Sequence, residues 1–434
     1  FFISSDNNTV TVEAVADTGV SVDSYYMNWF EITCAKKYAA ESNALSFHNN
    51  TTGTVSFSLQ GFNESDLLCL DVTDPFNVGM VVNAAVSSQG TSYTMRFRDA
   101  AQEVKTYYAC GMQAVLTPEK LIVDQSSDLS TYRSNIDYII ITHEDFYDAI
   151  QELKTYRESK GLHVAVAKIQ DIYDEFSYGI KDAQAIKDFL AYAYTNWNSS
   201  GHPQYVLLVG DSSLDYRDDL GLYAQGQLDY IPTFIYQTNE FGNTPTDNWF
   251  VCINGSDYLP DMTIGRICVR NNEDLQNIIA KIKKYESDTV AAWCGNVILA
   301  ADNESIFESI SDSLAAMLPE GFQAKKVYLD DYDKITEATS DLILDINAGA
   351  LLTNYAGHGN IDEWAAEYLF HTNDQRKNST RDDLARLSNG DRLTFVMALN
   401  CLNGYFPNWA DDYSLAEDFL RVDNKGAIAC FAPT

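Results

Sequence analysis

The sequence predicts an all-β sandwich or jelly-roll domain at residues 1–134, followed by an α/β domain with parallel sheets at residues 135–434. Three observations support this prediction. The first part contains only short runs of alternating polar and apolar residues, and the second alternates apolar strands with amphipathic helices. Between them, the polar and aperiodic segment Ser126–Asn135 is typical of a linker.

The predicted strands of the first part are short and are separated by turns rich in Asn, Gly, Asp and Ser. Thr54–Leu59 and Tyr93–Phe97 are examples in which polar and apolar residues alternate. Because no helical period interrupts these runs, we expect a small antiparallel domain.

The second part begins with the apolar run Tyr138–Thr142 and a helix that stops at Gly161. Further strands are predicted at residues 163–169, 205–210, 262–269, 297–301, 326–329, 350–355, 394–399 and 427–431. Further helices are predicted at residues 182–197, 273–286, 305–318, 339–346, 381–387 and 415–422. Apolar strands alternating with helices are typical of parallel sheets covered on both faces.

The charge balance excludes several classes of partner. The chain has 29 Lys and Arg residues against 62 Asp and Glu residues, a net charge of −33. Such a surface repels phosphate backbones and anionic lipid, which argues against nucleic-acid binding. It is compatible with cationic or neutral substrates and with metal cations. No run approaches the roughly 20 apolar residues of a membrane span.

The two ends of the chain and its cysteines add three expectations. Phe1 is not preceded by Met or by a signal segment, which indicates a processed or excised form. Thr434 follows an apolar run directly, so we expect the last subdomain to be truncated. None of the eight cysteines has metal-site spacing, and most lie in apolar runs where buried free thiols are expected.

In open parallel sheets, reactive groups gather just beyond the carboxyl ends of the strands. Five polar residues lie within three positions after predicted strands: His143, Asp211, Asp302, His358 and Cys401.

His358 and Cys401 are the strongest pair among these residues. His358 lies between Gly357 and Gly359, and Cys401 leaves a buried strand into a turn that contains Gly404. Each residue alone has an ordinary explanation, an exposed histidine or a buried thiol. They follow consecutive predicted strands, however, and consecutive strands are usually neighbours, so a Cys–His pair suited to nucleophilic catalysis is expected.

Several segments, in order along the chain, resemble the gingipain family of secreted cysteine peptidases, which are relatives of caspases and legumains. The matching segments are Leu207–Asp211, Ile264–Arg266, Asn354–Gly359, Asn400–Gly404, Ser414–Glu417 and Gly426–Ala429. In the β-rich part, Trp29-Phe30 and Asp71–Pro75 resemble the domain that precedes the peptidase in many members.

The resemblance implies a caspase-like peptidase domain with two parallel-sheet subdomains, a non-catalytic one at 135–290 and a catalytic one at 291–434. It implies Cys401 as the nucleophile, His358 as the catalytic histidine and Asp302 as the acid that orients it; an N-cap role for Asp302 is the alternative. His143 would then lie outside the site. Backbone N–H groups of Gly359 and Cys401 would stabilise the oxyanion.

The expected substrates are proteins or peptides, cleaved by a bacterial protein that is secreted or held at the cell surface, with no cofactor needed for the chemistry. Family members cut after Arg or Lys, and Asp362 and Glu363 are candidate substrate-loop acids. A structural Ca²⁺ site is a further candidate at the acidic segment containing Asp211, Asp215, Asp218 and Asp219. Arg133, in the linker, is a candidate self-processing site if the β-rich domain is a pro-segment.

Three other functions remain open at this point. A sortase-like transpeptidase of type IX secretion would keep the fold and transfer the acyl group to an amine. A non-enzymatic surface binding protein would keep only the fold. A serine hydrolase is disfavoured because the chain has no G-x-S-x-G motif.

Overall fold

A computed structural model gives the structure of the chain. It describes residues 36–118, 121, 123–131, 133–221, 229–238, 242–287, 291–372, 381–407 and 413–434, together with residues 11 and 31. The chain divides into two compact units, residues 1–124 and 125–434. Within the described residues, no helix is both long and apolar enough to cross a bilayer.

The described part of the first unit is built from antiparallel strands. They are β1 (Ala44–His48), β2 (Gly53–Phe62), β3 (Leu67–Asp71), β4 (Gly79–Met80), β5 (Ala85–Gln89), β6 (Ser92–Ala101) and β7 (Thr106–Gly111). They form one sheet in the order β1-β7-β3-β4 and another in the order β2-β6-β5. Aromatic side chains from both sheets share one core, in which Phe57 stacks on Phe97 and Phe47 stacks on Tyr107.

The second unit alternates strands with helices, as the sequence predicts. Its strands are β8 (Tyr138–Thr142), β9 (Val164–Lys168), β10 (Tyr205–Val209), β11 (Phe234–Thr238), β12 (Gly242–Thr246), β13 (Thr263–Ile267), β14 (Asn296–Ala301), β15 (Gln323–Tyr328), β16 (Leu352–Ala356), β17 (Gly359–Asn360), β18 (Glu363–Trp364), β19 (Phe370–His371), β20 (Thr394–Leu399) and β21 (Ala427–Phe431). Its α-helices are α1 (Tyr147–Ser159), α2 (Ile169–Ser177), α3 (Ala183–Asn196), α4 (Asn272–Ser287), α5 (Ser305–Met317), α6 (Ile335–Ala348) and α7 (Leu415–Arg421).

Two parallel sheets form the framework of this unit. The first has the strand order β13-β10-β8-β9, and the second has the order β15-β14-β16-β20-β21. The strands are apolar because both faces of each sheet are covered: separate clusters of buried side chains lie on the two sides of the first sheet and on the two sides of the second.

A buried lysine links the two halves of this unit. Lys281, on α4 after the first sheet, is 7% exposed, and its Nζ donates hydrogen bonds to the carbonyls of Phe419 (3.2 Å), Leu420 (2.8 Å) and Val422 (3.2 Å). These carbonyls belong to the end of α7, which accepts the ammonium there because terminal helix carbonyls lack partners within the helix. Burial lowers the pKa of Lys281 to about 8.

The segment predicted as a linker packs onto the second unit. The Glu175 carboxylate of α2 accepts hydrogen bonds from the Ser127 hydroxyl and from the amides of Leu129 and Ser130, both at 2.8 Å. Trp197 Nε1 donates to the Leu129 carbonyl at 3.0 Å. The division between the units accordingly falls before this segment, after Asp124.

Two predictions of secondary structure are wrong. The helix expected at residues 381–387 is only a short 3-10 turn, Leu384–Arg386, because the buried Asp383 carboxylate binds the side chains of Arg381 and Arg386. Conversely, α2 follows β9 without a break in the sequence and was not predicted.

Candidate active site

Three neighbouring strands of the second sheet end at the same level. Ala301 of β14 pairs with Ala356 of β16, and Ala356 pairs with Leu399 of β20. The residues that follow these strands therefore lie along one edge of the sheet. His358 and Cys401, each two positions beyond its strand, are both exposed there.

Asp302, at the same edge, holds the backbone of His358 rather than its ring. The Asp302 side chain is buried, with the residue 1% exposed. Its Oδ2 accepts a hydrogen bond from the His358 amide at 2.9 Å. The Tyr355 hydroxyl lies 3.3 Å from the same oxygen and is closer to the His358 carbonyl, to which it donates at 2.7 Å. Asp302 Oδ1 accepts from the Asn303 amide at 2.9 Å. Burial, and then the Asp302 charge, raises the pKa of Tyr355, so this hydroxyl stays protonated and donates.

The carboxylate that contacts the imidazole is Glu304. The distance from His358 Nε2 to Glu304 Oε1 is 3.2 Å, and both side chains are largely exposed. The Phe307 ring meets the imidazole edge to face, with centroids 5.5 Å apart. The sequence pointed to Asp302 for the orienting role. The structure instead brings Glu304 to the ring, because the side chain that directly follows β14 turns inward against the backbone. Asp302 is not the N-cap of α5 either, since Glu304 occupies that position.

The glycines beside His358 are required by space, not by unusual backbone angles. Neither Gly357 nor Gly359 has a positive φ. A Cβ on Gly357 would come within 2.5 Å of the Cβ of Asp302, and a Cβ on Gly359 would clash with the Asn400 side chain. Packing at these two positions therefore brings the strand ends that carry His358 and Cys401 close together.

Asn403 ties the loop after Cys401 to the hairpin after His358. Its amide donates to the Asn360 carbonyl and, at 3.1 Å, to the Glu363 carbonyl, and its Oδ1 accepts from the Asn400 amide. The residue is 1% exposed. Asn403, Tyr355 and Glu304 were not singled out from the sequence; only the position of Asn403 in the turn after Cys401 could have indicated it.

The first sheet supports this loop from the other side. The Arg266 guanidinium, on β13, lies 4.9 Å from the ring centroid of Phe406, which follows Cys401 in the chain. Arg266 is fixed by Asp247, at 2.7 and 2.8 Å, and by the carbonyls of Gly210 (2.9 Å) and Ile231 (2.7 Å). The interaction with the Asp247 charge raises the pKa of Arg266 against the effect of its burial, which keeps the guanidinium charged.

The candidate substrate-loop acids differ in exposure. Asp362 is buried, whereas Glu363 is half-buried on β18. Asp411 and Asp412, two further acids that follow Cys401 in the sequence, lie outside the described residues. Their role in binding substrate stays a prediction.

Among the described residues, the acids of the segment 211–219 do not form a group of three with ligand atoms within 4.8 Å of one another. Asp215 accepts hydrogen bonds from the amides of Asp219 and Leu220 in its own loop, both at 2.9 Å. Asp211 instead pairs with Arg270 at 2.6 Å. Among the described residues, its oxygen atoms lie near Cys268 and Glu417. Calcium binding at these four aspartates stays a prediction.

Arg133, the candidate processing site, has its side chain engaged. It forms an ion pair with Asp128 at 2.5 Å, and its guanidinium lies 5.0 Å from the centroid of the Trp197 ring. Self-cleavage after Arg133 stays a prediction, and it would require these contacts to be released. His143 accepts a hydrogen bond from the Asp145 amide at 3.2 Å, a local capping role. The seven described cysteines are free thiols.

Comparisons with known proteins define the class of this chain. The model of peptidase family C25 matches residues 131–434. Lys-gingipain W83 of Porphyromonas gingivalis is 24% identical over 306 residues, which are 69% of this chain and 15% of that protein. An uncharacterized protein of Archaeoglobus fulgidus is 21% identical over 67% of this chain and 73% of its own length.

A solved structure shows a similar fold. The crystal structure of the Arg-specific cysteine proteinase gingipain R has a TM-score of 0.52 and 22% identity, covering 68% of this chain and 62% of that one. The solved structure shows that the fold is similar, and the family model shows the class of protein. The chain belongs to peptidase family C25, the gingipain-like cysteine peptidases.

Proposed function

We propose that this chain is a secreted bacterial endopeptidase that cleaves peptide bonds with a Cys401–His358 dyad. The observation that supports the proposal best is the exposure of both side chains at the carboxyl ends of adjacent parallel strands, β16 and β20. A thiol and an imidazole placed in this way can act on one bound carbonyl.

In the proposed reaction, the Cys401 thiolate attacks the scissile carbonyl carbon and forms a tetrahedral oxyanion. The N–H groups of Gly359 and Cys401 stabilise this oxyanion. Its collapse breaks the C–N bond, and His358 gives its proton to the leaving amine. Water, deprotonated by His358, then hydrolyses the thioester and regenerates the thiol.

We further propose that the two acids near His358 have separate roles. Asp302 positions the histidine through its backbone amide and through Tyr355, and Glu304 orients the imidazole through Nε2. In this proposal, a buried contact with Asp302 and an exposed contact with Glu304 together hold the histidine of the dyad in place.

Substrates with a basic residue before the cleaved bond fit the charges near the site. Glu304 and Glu367 are exposed on the His358 side, and Glu363 is half-buried on the adjacent hairpin. The matched relatives are named as Lys- and Arg-specific enzymes. The proposed fold is caspase-like, with subdomains at 135–290 and 291–434, and the β-rich unit is proposed as the domain that precedes the peptidase in the family.

Replacing the nucleophile tests the proposal. Cys401→Ala should abolish both turnover of a P1-varied peptide library and covalent labelling by a peptidyl inhibitor. Cys294→Ala, which removes a half-buried thiol elsewhere, should retain both. Labelling of the Cys401→Ala protein at the wild-type rate would contradict the dyad.

A second pair of variants separates the two acids. Glu304→Gln should lower kcat more than it raises KM, because a neutral amide holds the imidazole less firmly than the carboxylate does. Asp302→Asn should mainly lower the stability, since Asp302 is buried and accepts hydrogen bonds from two backbone amides. If Glu304→Gln has the wild-type kcat and KM, Glu304 does not orient His358.

A further inference from the structure

An acidic cluster with a thiol lies between the two halves of the second unit, away from the proposed dyad. Asp211 follows β10, Cys268 follows β13, and Glu417 lies on α7. Each of them offers one potential ligand atom, and these three atoms lie within 4.8 Å of one another. None of the three has a role in the proposed peptide-bond chemistry.

An unpartnered carboxylate oxygen of Glu417 is the strongest indication that this cluster binds a ligand. The residue is 4% exposed, and its Oε2 accepts a hydrogen bond from the Ser414 amide at 2.7 Å. Its Oε1 is buried and has no hydrogen-bond partner among the described residues. An uncompensated buried carboxylate oxygen costs on the order of 1–3 kcal/mol or more, so a bound cation or donor is expected beside it.

The cluster also brings two acids together in a buried place. Asp211 and Glu417 are both buried, and Arg270 forms the ion pair with Asp211 at 2.6 Å. The nearby Arg266 is committed to Asp247. A divalent cation bound by the two carboxylates and a Cys268 thiolate, with Arg270 beside them, would bring this group to zero net charge.

The donor set selects the kind of cation. Two carboxylates and one thiolate suit a borderline metal such as zinc, whereas Ca²⁺ and Mg²⁺ prefer oxygen ligands only. Around tetrahedral zinc, sulfur and oxygen ligands lie roughly 3.5 Å apart. Side-chain rotations that move the ligand atoms by about 1 Å would therefore bring them to zinc-binding distances. A carboxylate has about four lone-pair sites, so Asp211 can bind a metal while it still accepts from Arg270, as metal-bound carboxylates commonly do.

We propose that Asp211, Cys268 and Glu417 form a zinc site that joins the carboxyl edge of the first sheet to helix α7. Cys268 is only half-buried, which gives the ion a route to the cluster. Helix α7 begins at Ser414, shortly after the loop that follows Cys401, and Ser414 and Glu417 form its capping box. The role of the metal would be structural, since it would anchor this helix to the other half of the unit.

The test measures zinc content directly, in the Cys401→Ala background so that the exposed thiol of the proposed dyad cannot bind metal. After zinc loading and dialysis, the Cys401→Ala chain should retain one zinc ion per chain. Adding Cys268→Ala should abolish this retention, and adding Glu417→Gln should weaken zinc binding at least tenfold. The matched control, Cys401→Ala with Cys252→Ala, removes another half-buried thiol and should still retain the ion.

Substitution with Co²⁺ provides a second readout that does not depend on activity. A thiolate-to-cobalt charge-transfer band should appear in the Cys401→Ala chain and in the Cys252 control and should be lost with Cys268→Ala, while circular dichroism verifies that each variant is folded. Failure of the folded Cys401→Ala chain to retain zinc, or zinc retention that is unchanged by Cys268→Ala, would overturn the proposal. Neither result bears on the dyad, which is tested separately by labelling of Cys401.

Discussion

Asn403 offers the sharpest test of how the two loops of the proposed site are held together. Replacing it with Ala removes two donated hydrogen bonds, to the carbonyls of Asn360 and Glu363, and one that it accepts from Asn400. Asn403 is buried, whereas Asn360 and Glu363 are half-buried, so both carbonyls lose a donor where access to water is limited. At about 1–3 kcal/mol for each unmet group, and with partial relaxation, we expect the free energy of unfolding to fall by about 2–4 kcal/mol.

The same substitution should also affect the chemistry. A displacement of about 1 Å between reacting groups can cost roughly 100-fold in rate, so Asn403→Ala should lower kcat/KM and the labelling rate of Cys401 by about 10- to 100-fold. Urea unfolding and inhibitor labelling measure the two effects.

The matched control is Asn296→Ala. Asn296 lies at the opposite end of β14, and its amide donates one hydrogen bond to the Gly349 carbonyl at 3.0 Å. The Asn296→Ala substitution should lower the free energy of unfolding by about 1 kcal/mol and leave the labelling rate of Cys401 unchanged. Suppose that the free energy of unfolding of Asn403→Ala lies within about 0.5 kcal/mol of the wild-type value and that Cys401 is labelled at the wild-type rate. The hydrogen bonds of Asn403 then do not hold the two loops together.

Two further predictions follow from buried positions. Burial lowers the pKa of Lys281 from 10.5 to about 8. The buried ammonium therefore destabilises the folded state below pH 8, and this destabilisation disappears as the pH rises towards 10.5. The unfolding free energy of the wild type relative to Lys281→Met should therefore increase by about 3 kcal/mol between pH 7 and pH 10.5 in urea titrations; a constant difference would contradict the burial of the charge. Gly359→Ala should destabilise the protein by about 1–3 kcal/mol and slow the labelling of Cys401, because its Cβ meets the Asn400 side chain. Gly265→Ala, which has open space around it, should show neither effect, and equal behaviour of the two variants would refute the packing argument.

The parallel sheets could be predicted from the sequence because their strands are nearly continuous apolar runs. The positions of β8, β10, β14, β16 and β20 follow from that signal, and the expected neighbourhood of His358 and Cys401 follows from strands that are adjacent in both the chain and the sheet. Helix α2 was missed since no turn residue separates Lys168 from Ile169, although Ile169, Ile172 and Tyr173 have helical spacing and are buried. The two-residue strands β17–β19 are too short for any period to reveal them.

The details of the site depend on side-chain direction, which the sequence does not encode locally. Asp302 and Glu304 are equally acidic and close in the chain, so the sequence alone could not decide which one reaches the imidazole. The answer depends on which side chain turns inward at the end of β14. There the His358 amide donates to Asp302 Oδ2, and the Tyr355 hydroxyl lies beside the same oxygen. Likewise, the requirement for Gly357 and Gly359 comes from neighbours on other strands rather than from their own backbone angles.

Arg266 and Lys281 have a consequence for how this enzyme family could be cut and recombined. Both residues lie before residue 291, yet one supports the loop after Cys401 at Phe406 and the other binds three carbonyls at the end of α7. A fragment that begins at residue 291 would carry His358 and Cys401 but would lose both supports. The two sheets of this chain therefore depend on each other: replacing either half should succeed only if the replacement keeps partners for these two cations.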